Sequence, residues 1–184
     1  MQTAVLNKKN ILKTALTTII AAAAAVILPQ IFHLVGMLSG TNALPGASFL
    51  PMHLPVFAAG LLGGPICGLA AGAVSPVLSS LISGMPVAAI VPLMTVELAG
   101  YGLVSGLLSK TKLPTLLNVL IAQIAGRAIK IAGAVAAVHI FGNYAVTAAS
   151  VVDSTIVGLP GILLQILLLP LFVYRIKNTA SKNC

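Results

Sequence analysis

From Thr14 to Val96 the chain carries no Lys, Arg, Asp or Glu. A segment this long without charge cannot present a soluble surface. Soluble domains carry about 25% charged residues; here the figure is 7%, against 59% hydrophobic. Several apolar stretches reach the roughly 20 residues that a helix needs to cross a bilayer. They are continuous and rich in Ala, Leu and Gly rather than alternating, which argues against a β-barrel. The chain therefore reads as one all-α integral membrane domain over 1–184.

Turn and breaker residues divide it into six spans, with boundaries good to about three residues. Span 1 covers about 11–29 and ends near Pro29. A long segment follows at 30–53, with Gly36, Gly40, Pro45, Gly46 and Pro51. Span 2 covers about 54–64, and Gly63-Gly64-Pro65 separates it from span 3, about 66–83. Gly84-Met85-Pro86 leads into span 4, about 87–108, and Lys110-Thr-Lys112-Leu-Pro114 into span 5, about 115–139. Asp153 or Ser154 is the expected cap of span 6, about 155–176. Residues Met1–Ala25 resemble a signal peptide, but the apolar run continues to Leu28 and more spans follow, so the segment is read as a retained span.

The net charge of +8 follows from topology rather than from nucleic-acid binding. Lys8, Lys9 and Lys13 precede span 1, Lys110 and Lys112 lie between spans 4 and 5, and Arg175, Lys177 and Lys182 follow span 6. Six spans place all of these on one side, and the opposite connections have no Lys or Arg. The positive-inside rule then predicts cytoplasmic termini and an extracellular segment 30–53. Loops longer than about 12–15 residues commonly act as lids, and this one carries His33, Asn42, Ser48, Met52 and His53.

Three charges interrupt the apolar spans: Glu97, Arg127 and Lys130. Each costs roughly 3 kcal/mol or more at hydrocarbon depth. Gln123, Arg127 and Lys130 fall at i, i+4 and i+7, on one helix face. At 1.5 Å per residue Arg127 lies roughly 18 Å, and Lys130 roughly 22 Å, from the inner end of span 5. Glu97 lies roughly 15 Å below the outer surface, at a depth similar to Arg127, with Gln165 of span 6 alongside. Glu97 and Arg127 form either a structural ion pair or part of a ligand site. Lys130 is expected to lack an acidic partner and to face a cavity open to the outside, since the other acid, Asp153, lies nearer the outer surface. Candidate ligand-binding residues are thus Lys130, Arg127, Glu97, His53, Asn42, Gln123 and Gln165.

Cys67 and Cys184 form no motif, and His33, His53 and His139 do not amount to a metal site. No phosphate loop, paired carboxylates or Ser/His nucleophile arrangement is present. No enzymatic activity and no cofactor is expected, and use of ATP requires another chain.

Certain stretches carry a family resemblance. They are Pro51-Met-His-Leu-Pro-Val-Phe-Ala-Ala-Gly-Leu-Leu-Gly-Gly-Pro65, Leu81-Ile-Ser-Gly-Met-Pro86, Glu97-Leu-Ala-Gly-Tyr-Gly-Leu-Val-Ser-Gly106, Ala125-Gly-Arg127 and Ala21-x-x-x-Ala25. Over nearly its whole length the chain resembles a substrate-binding S component of an energy-coupling factor (ECF) vitamin transporter. The resemblance implies a bacterial plasma-membrane protein that binds a water-soluble vitamin or precursor near the outer face. It also implies that loops close over the ligand, and that Ala21 and Ala25 dock onto a transmembrane scaffold subunit carrying two ATPases. Lys130 departs from the family, which often has an apolar residue there. Two bases on one face hint at an anionic ligand such as pantothenate or nicotinate. Hydroxymethylpyrimidine-, pyridoxine- and ribazole-like ligands remain open. The alternatives are a self-sufficient secondary transporter or channel, with Glu97 relaying protons, and an intramembrane scaffold.

Overall fold

A computed structural model describes residues 8–41, 44–141 and 147–182. Among these, every regular element is helical, and six stretches are long and apolar enough to cross a membrane. The helices are α1 (Lys8–Leu38), α2 (Leu44–Phe49), α3 (His53–Gly63), α4 (Pro65–Ser83), α5 (Val91–Leu108), α6 (Thr115–Phe141), α7 (Ala148–Val157) and α8 (Leu159–Lys182). The six apolar stretches are α1, α2 with α3, α4, α5 with a 3-10 turn at Ala88–Ile90, α6 and α8.

Two expectations about the connections are corrected. The first span does not end at Pro29, because α1 continues through it to Leu38. Proline removes one helical hydrogen bond, but in a membrane the neighbouring groups re-satisfy the backbone and the helix persists. Beside it, the Gln30 side-chain amide donates to the Val26 carbonyl at 3.3 Å and to Ser83 Oγ at 3.1 Å, the latter tying α1 to α4. The segment 30–53 is therefore largely helix rather than a long loop. Asn42 lies outside the described residues. Secondly, Asp153 does not cap the last span. It is an exposed residue within α7, whose cap is Thr147, with Thr147 Oγ1 accepting from the Ser150 backbone N–H and Ser150 Oγ from that of Thr147.

Small residues set the packing. Gly64, at φ +88, lets the chain leave α3 and enter α4 at Pro65. α4 then crosses α5 so closely that a Cβ on Gly68 would overlap the Gly102 backbone, and one on Gly72 the Leu98 backbone. The four-residue glycine spacing thus serves internal helix contact, as small-residue repeats do in membranes. Around this pair lies a core of Phe57, Leu98, Tyr101, Val119, Leu169 and Val173.

Ala25 belongs to that core and has no exposed surface, while Ala21 packs beside Ala59, Cys67 and Ala71. The small-residue strip of helix 1 is therefore not open at Ala25. Ala21 also lines a lateral groove of about 710 Å³ between α1, α3 and α8, together with Thr17 and Ala24.

Candidate functional site: a buried charge knot on α5 and α6

Glu97 projects from α5 and is 1% exposed. Its Oε1 accepts from the Tyr101 hydroxyl at 3.0 Å and lies 3.1 Å from Arg127 Nη1. Its Oε2 lies 2.8 Å from Lys130 Nζ. One carboxylate thus holds both bases, and the three side chains together carry one net positive charge. Lys130 was expected to be unpaired, and this is corrected. Side chains on a helix lean toward its N-terminus, so the long Lys130 stem reaches back to the level of Arg127.

The local sequence builds this arrangement. Tyr101 sits one turn after Glu97, so its hydroxyl reaches the carboxylate from the same helix. Gly126, immediately before Arg127, leaves room for the Tyr101 ring, which a Cβ there would overlap. The ring also packs on Phe57 and His53, with centroids 5.1 and 5.3 Å apart. Tyr101 thereby joins the site, and its i+4 spacing from Glu97 was the sequence signal for it.

His53 opens α3 and is 2% exposed, and neither ring nitrogen has a hydrogen-bond partner. Gln123 and Gln165 meet across α6 and α8, Gln123 Nε2 donating to Gln165 Oε1. Gln165 Nε2 in turn donates to the Leu50 carbonyl at 3.5 Å. Leu50 has φ +48 and is the one non-glycine residue with positive φ among those described. A leucine in this region is strained, and its neighbours hold it there. Its side chain packs at Gly158, while the preceding Ser48 and Phe49 backbone lies on Gly161.

Buried polar atoms without partners cost roughly 1–3 kcal/mol each, and several gather here: both His53 nitrogens, Gln123 Oε1, and Arg127 Nε and Nη2. Gln123 and Arg127 also line a cleft of about 460 Å³ between α6 and α8, walled by Leu120, Ile124, Ile131, Ile162 and Ile166. The structure therefore brings together Glu97, Arg127, Lys130, His53, Gln123 and Gln165. Chemically the arrangement offers hydrogen-bond donors, an acceptor and surplus positive charge inside an apolar shell. Among the described residues, no group of three His, Cys, Asp or Glu is placed to hold a metal.

Comparison with known proteins gives no match to a family model, a curated protein or a solved structure.

Proposed function

We propose that this chain is a membrane-embedded binding subunit for a small water-soluble vitamin or precursor, acting as an ECF-type S component. The observation that carries this reading is the charge knot: two bases share one acid at membrane depth, beside unpartnered buried atoms of His53, Gln123 and Arg127. A purely structural ion pair needs only one base, and five of the seven buried unpartnered side-chain atoms among the described residues belong to His53, Gln123 and Arg127. The surplus positive charge favours an anionic ligand such as pantothenate or nicotinate. Transport then draws its energy from a separate ATPase module, since the sequence carries no nucleotide-binding motif.

The orientation belongs to the same proposal. Thr17 of α1 and Arg175 of α8 line one groove, which supports placing both ends of the chain on one side. The basic residues make that side cytoplasmic, in a bacterial plasma membrane. The groove between α1, α3 and α8, with small residues Thr17, Ala21 and Ala24, is the surface we assign to the scaffold subunit.

Purified protein in detergent should be stabilised thermally by one member of a panel comprising pantothenate, nicotinate, nicotinamide, hydroxymethylpyrimidine and pyridoxine, and not by ATP. No stabilisation by any of them would sink the reading, and uptake by the reconstituted chain alone would favour a self-sufficient transporter. Lys130→Ala should weaken binding of an anionic ligand by about tenfold or more, the loss of one charge-assisted contact. Unchanged affinity and unchanged charge preference would remove the anionic-ligand assignment.

A further inference from the structure

The lateral groove between α1, α3 and α8 has the depth of one leaflet and a polar end. On α1 it runs from Thr17 to Leu28, roughly 16 Å along the axis. On α8 it runs from Leu168 to Ile176, roughly 12 Å. Half of a bilayer's hydrocarbon core is about 15 Å deep. Among the residues that line the groove, only Thr17 and Arg175 are polar. Both lie toward the end where α1 begins and α8 finishes.

That end of the bundle is basic and has no acidic side chain to balance it. A Cβ on Gly63 would meet Thr17, and one on Gly106 would meet Pro65. The first part of α1, the turn between α3 and α4 and the end of α5 therefore share one level. Of the ten Lys and Arg, all but Arg127 and Lys130 lie in the segments 8–13, 110–112 and 175–182, which flank this level. Neither acid is there: Glu97 is buried in the charge knot, and Asp153 sits in α7, ahead of α8. Lys13 is exposed one helical turn before Thr17, on the same side of α1. Arg175 is exposed too, and makes no ion pair among the described residues.

We propose that this groove is the site of one anionic phospholipid from the adjoining leaflet, cytoplasmic in the orientation given above. One acyl chain lies along the groove, and the phosphate sits at its mouth on Arg175, in the positive potential to which Lys13 adds. A guanidinium donates two parallel hydrogen bonds to a phosphate. Entering the groove gives an acyl chain no hydrophobic gain, because it leaves neighbours that are equally apolar. The chain of any lipid fills the groove, and the headgroup decides which lipid stays. Basic pockets between membrane helices hold anionic headgroups on this principle. Arg175 is accordingly the specificity-determining residue. The lipid site does not depend on the vitamin-binding reading. One consequence does rest on that reading: a scaffold subunit that docks on the same surface displaces the lipid.

The test offers the full-length protein, in detergent, equal amounts of phosphatidylglycerol and phosphatidylcholine with identical acyl chains. Native mass spectrometry counts the lipid retained. One phosphatidylglycerol per chain is expected, favoured over phosphatidylcholine by about fivefold or more, the attraction of one base for an anionic headgroup. Arg175→Gln should abolish the preference. Lys110→Gln removes an exposed base at the same end but outside the groove, and should leave the preference unchanged. Ala24→Trp fills the groove and should remove the retained lipid of either kind. Free glycerol phosphate at the same concentration should not displace the lipid. Absence of a preference in the wild-type protein overturns the inference. So does an equal loss in Arg175→Gln and Lys110→Gln, the sign of diffuse attraction to the whole basic end. Displacement by glycerol phosphate overturns it in favour of a soluble phosphate, and lipid retained by folded Ala24→Trp places the lipid elsewhere. Should Ala24→Trp fail to fold, the two charge variants decide the matter, since both replace exposed residues. Thermal stabilisation by a vitamin is read separately, so the lipid site can fail while the vitamin-binding reading stands.

Discussion

Glu97→Gln should destabilise the protein by about 3–5 kcal/mol, the effect of removing one partner from a buried ion pair. The effect belongs at the upper end of that range, because Arg127 and Lys130 lose the same carboxylate at once. The Tyr101 hydroxyl retains an acceptor in the glutamine carbonyl, so the loss is chiefly electrostatic. A thermal unfolding curve in detergent reads it directly. Replacing all three charges by Leu should behave differently. Well-packed apolar side chains are often as stable as a buried ion pair, so the triple variant is expected to fold with a loss of about 1–3 kcal/mol, the cost of the buried Tyr101 hydroxyl losing its acceptor. If Glu97→Gln unfolds at the wild-type temperature, the bases have another partner and the single-carboxylate account fails.

Gly102→Val should abolish folding, or cost about 3 kcal/mol or more, at the severe end of overpacking effects. A Cβ on Gly102 meets the carbonyl, carbonyl carbon and Cα of Gly68. These are backbone atoms of a packed helix, and no rotamer change moves them aside. Gly133→Ala is the control. A Cβ there meets only the flexible Leu93 Cδ2, at 2.8 Å, so the expected change is about 0.5 kcal/mol or less. Equal tolerance of the two substitutions would show that α4 and α5 do not approach as closely as described.

The number of apolar spans was legible because charged or glycine-containing turns separate most of them, whereas Pro29 marked no boundary and the second apolar stretch begins at Leu44 rather than near 54. The shared depth of Glu97 and Arg127 followed from residue rise alone, and the pair does meet at 3.1 Å. Lys130 was harder. Axial position put it further out, but depth counted at Cα ignores a side chain that leans one turn back. Pro29 misled because proline ends helices in water but is tolerated in membrane spans, and here Pro29, Pro76 and Pro170 all lie inside helices. Burial of Ala25 was invisible for a different reason: an Ala-x-x-x-Ala pattern states that something approaches closely, not whether it belongs to the same chain. The Gln123–Gln165 contact joins α6 to α8, and no local pattern links residues so far apart in sequence.

The two roles of the charge knot, holding helices together and holding a ligand, separate in one variant. Equilibrium binding of the tightest-binding vitamin of the panel is measured on wild type and on Glu97→Leu/Arg127→Leu/Lys130→Leu, each first shown to be folded. A site built around the knot predicts that the folded triple variant loses at least about a hundredfold in affinity, since two charge-assisted contacts vanish together. Wild-type affinity in that variant would mean that the three charges only pair helices, and that any ligand binds elsewhere.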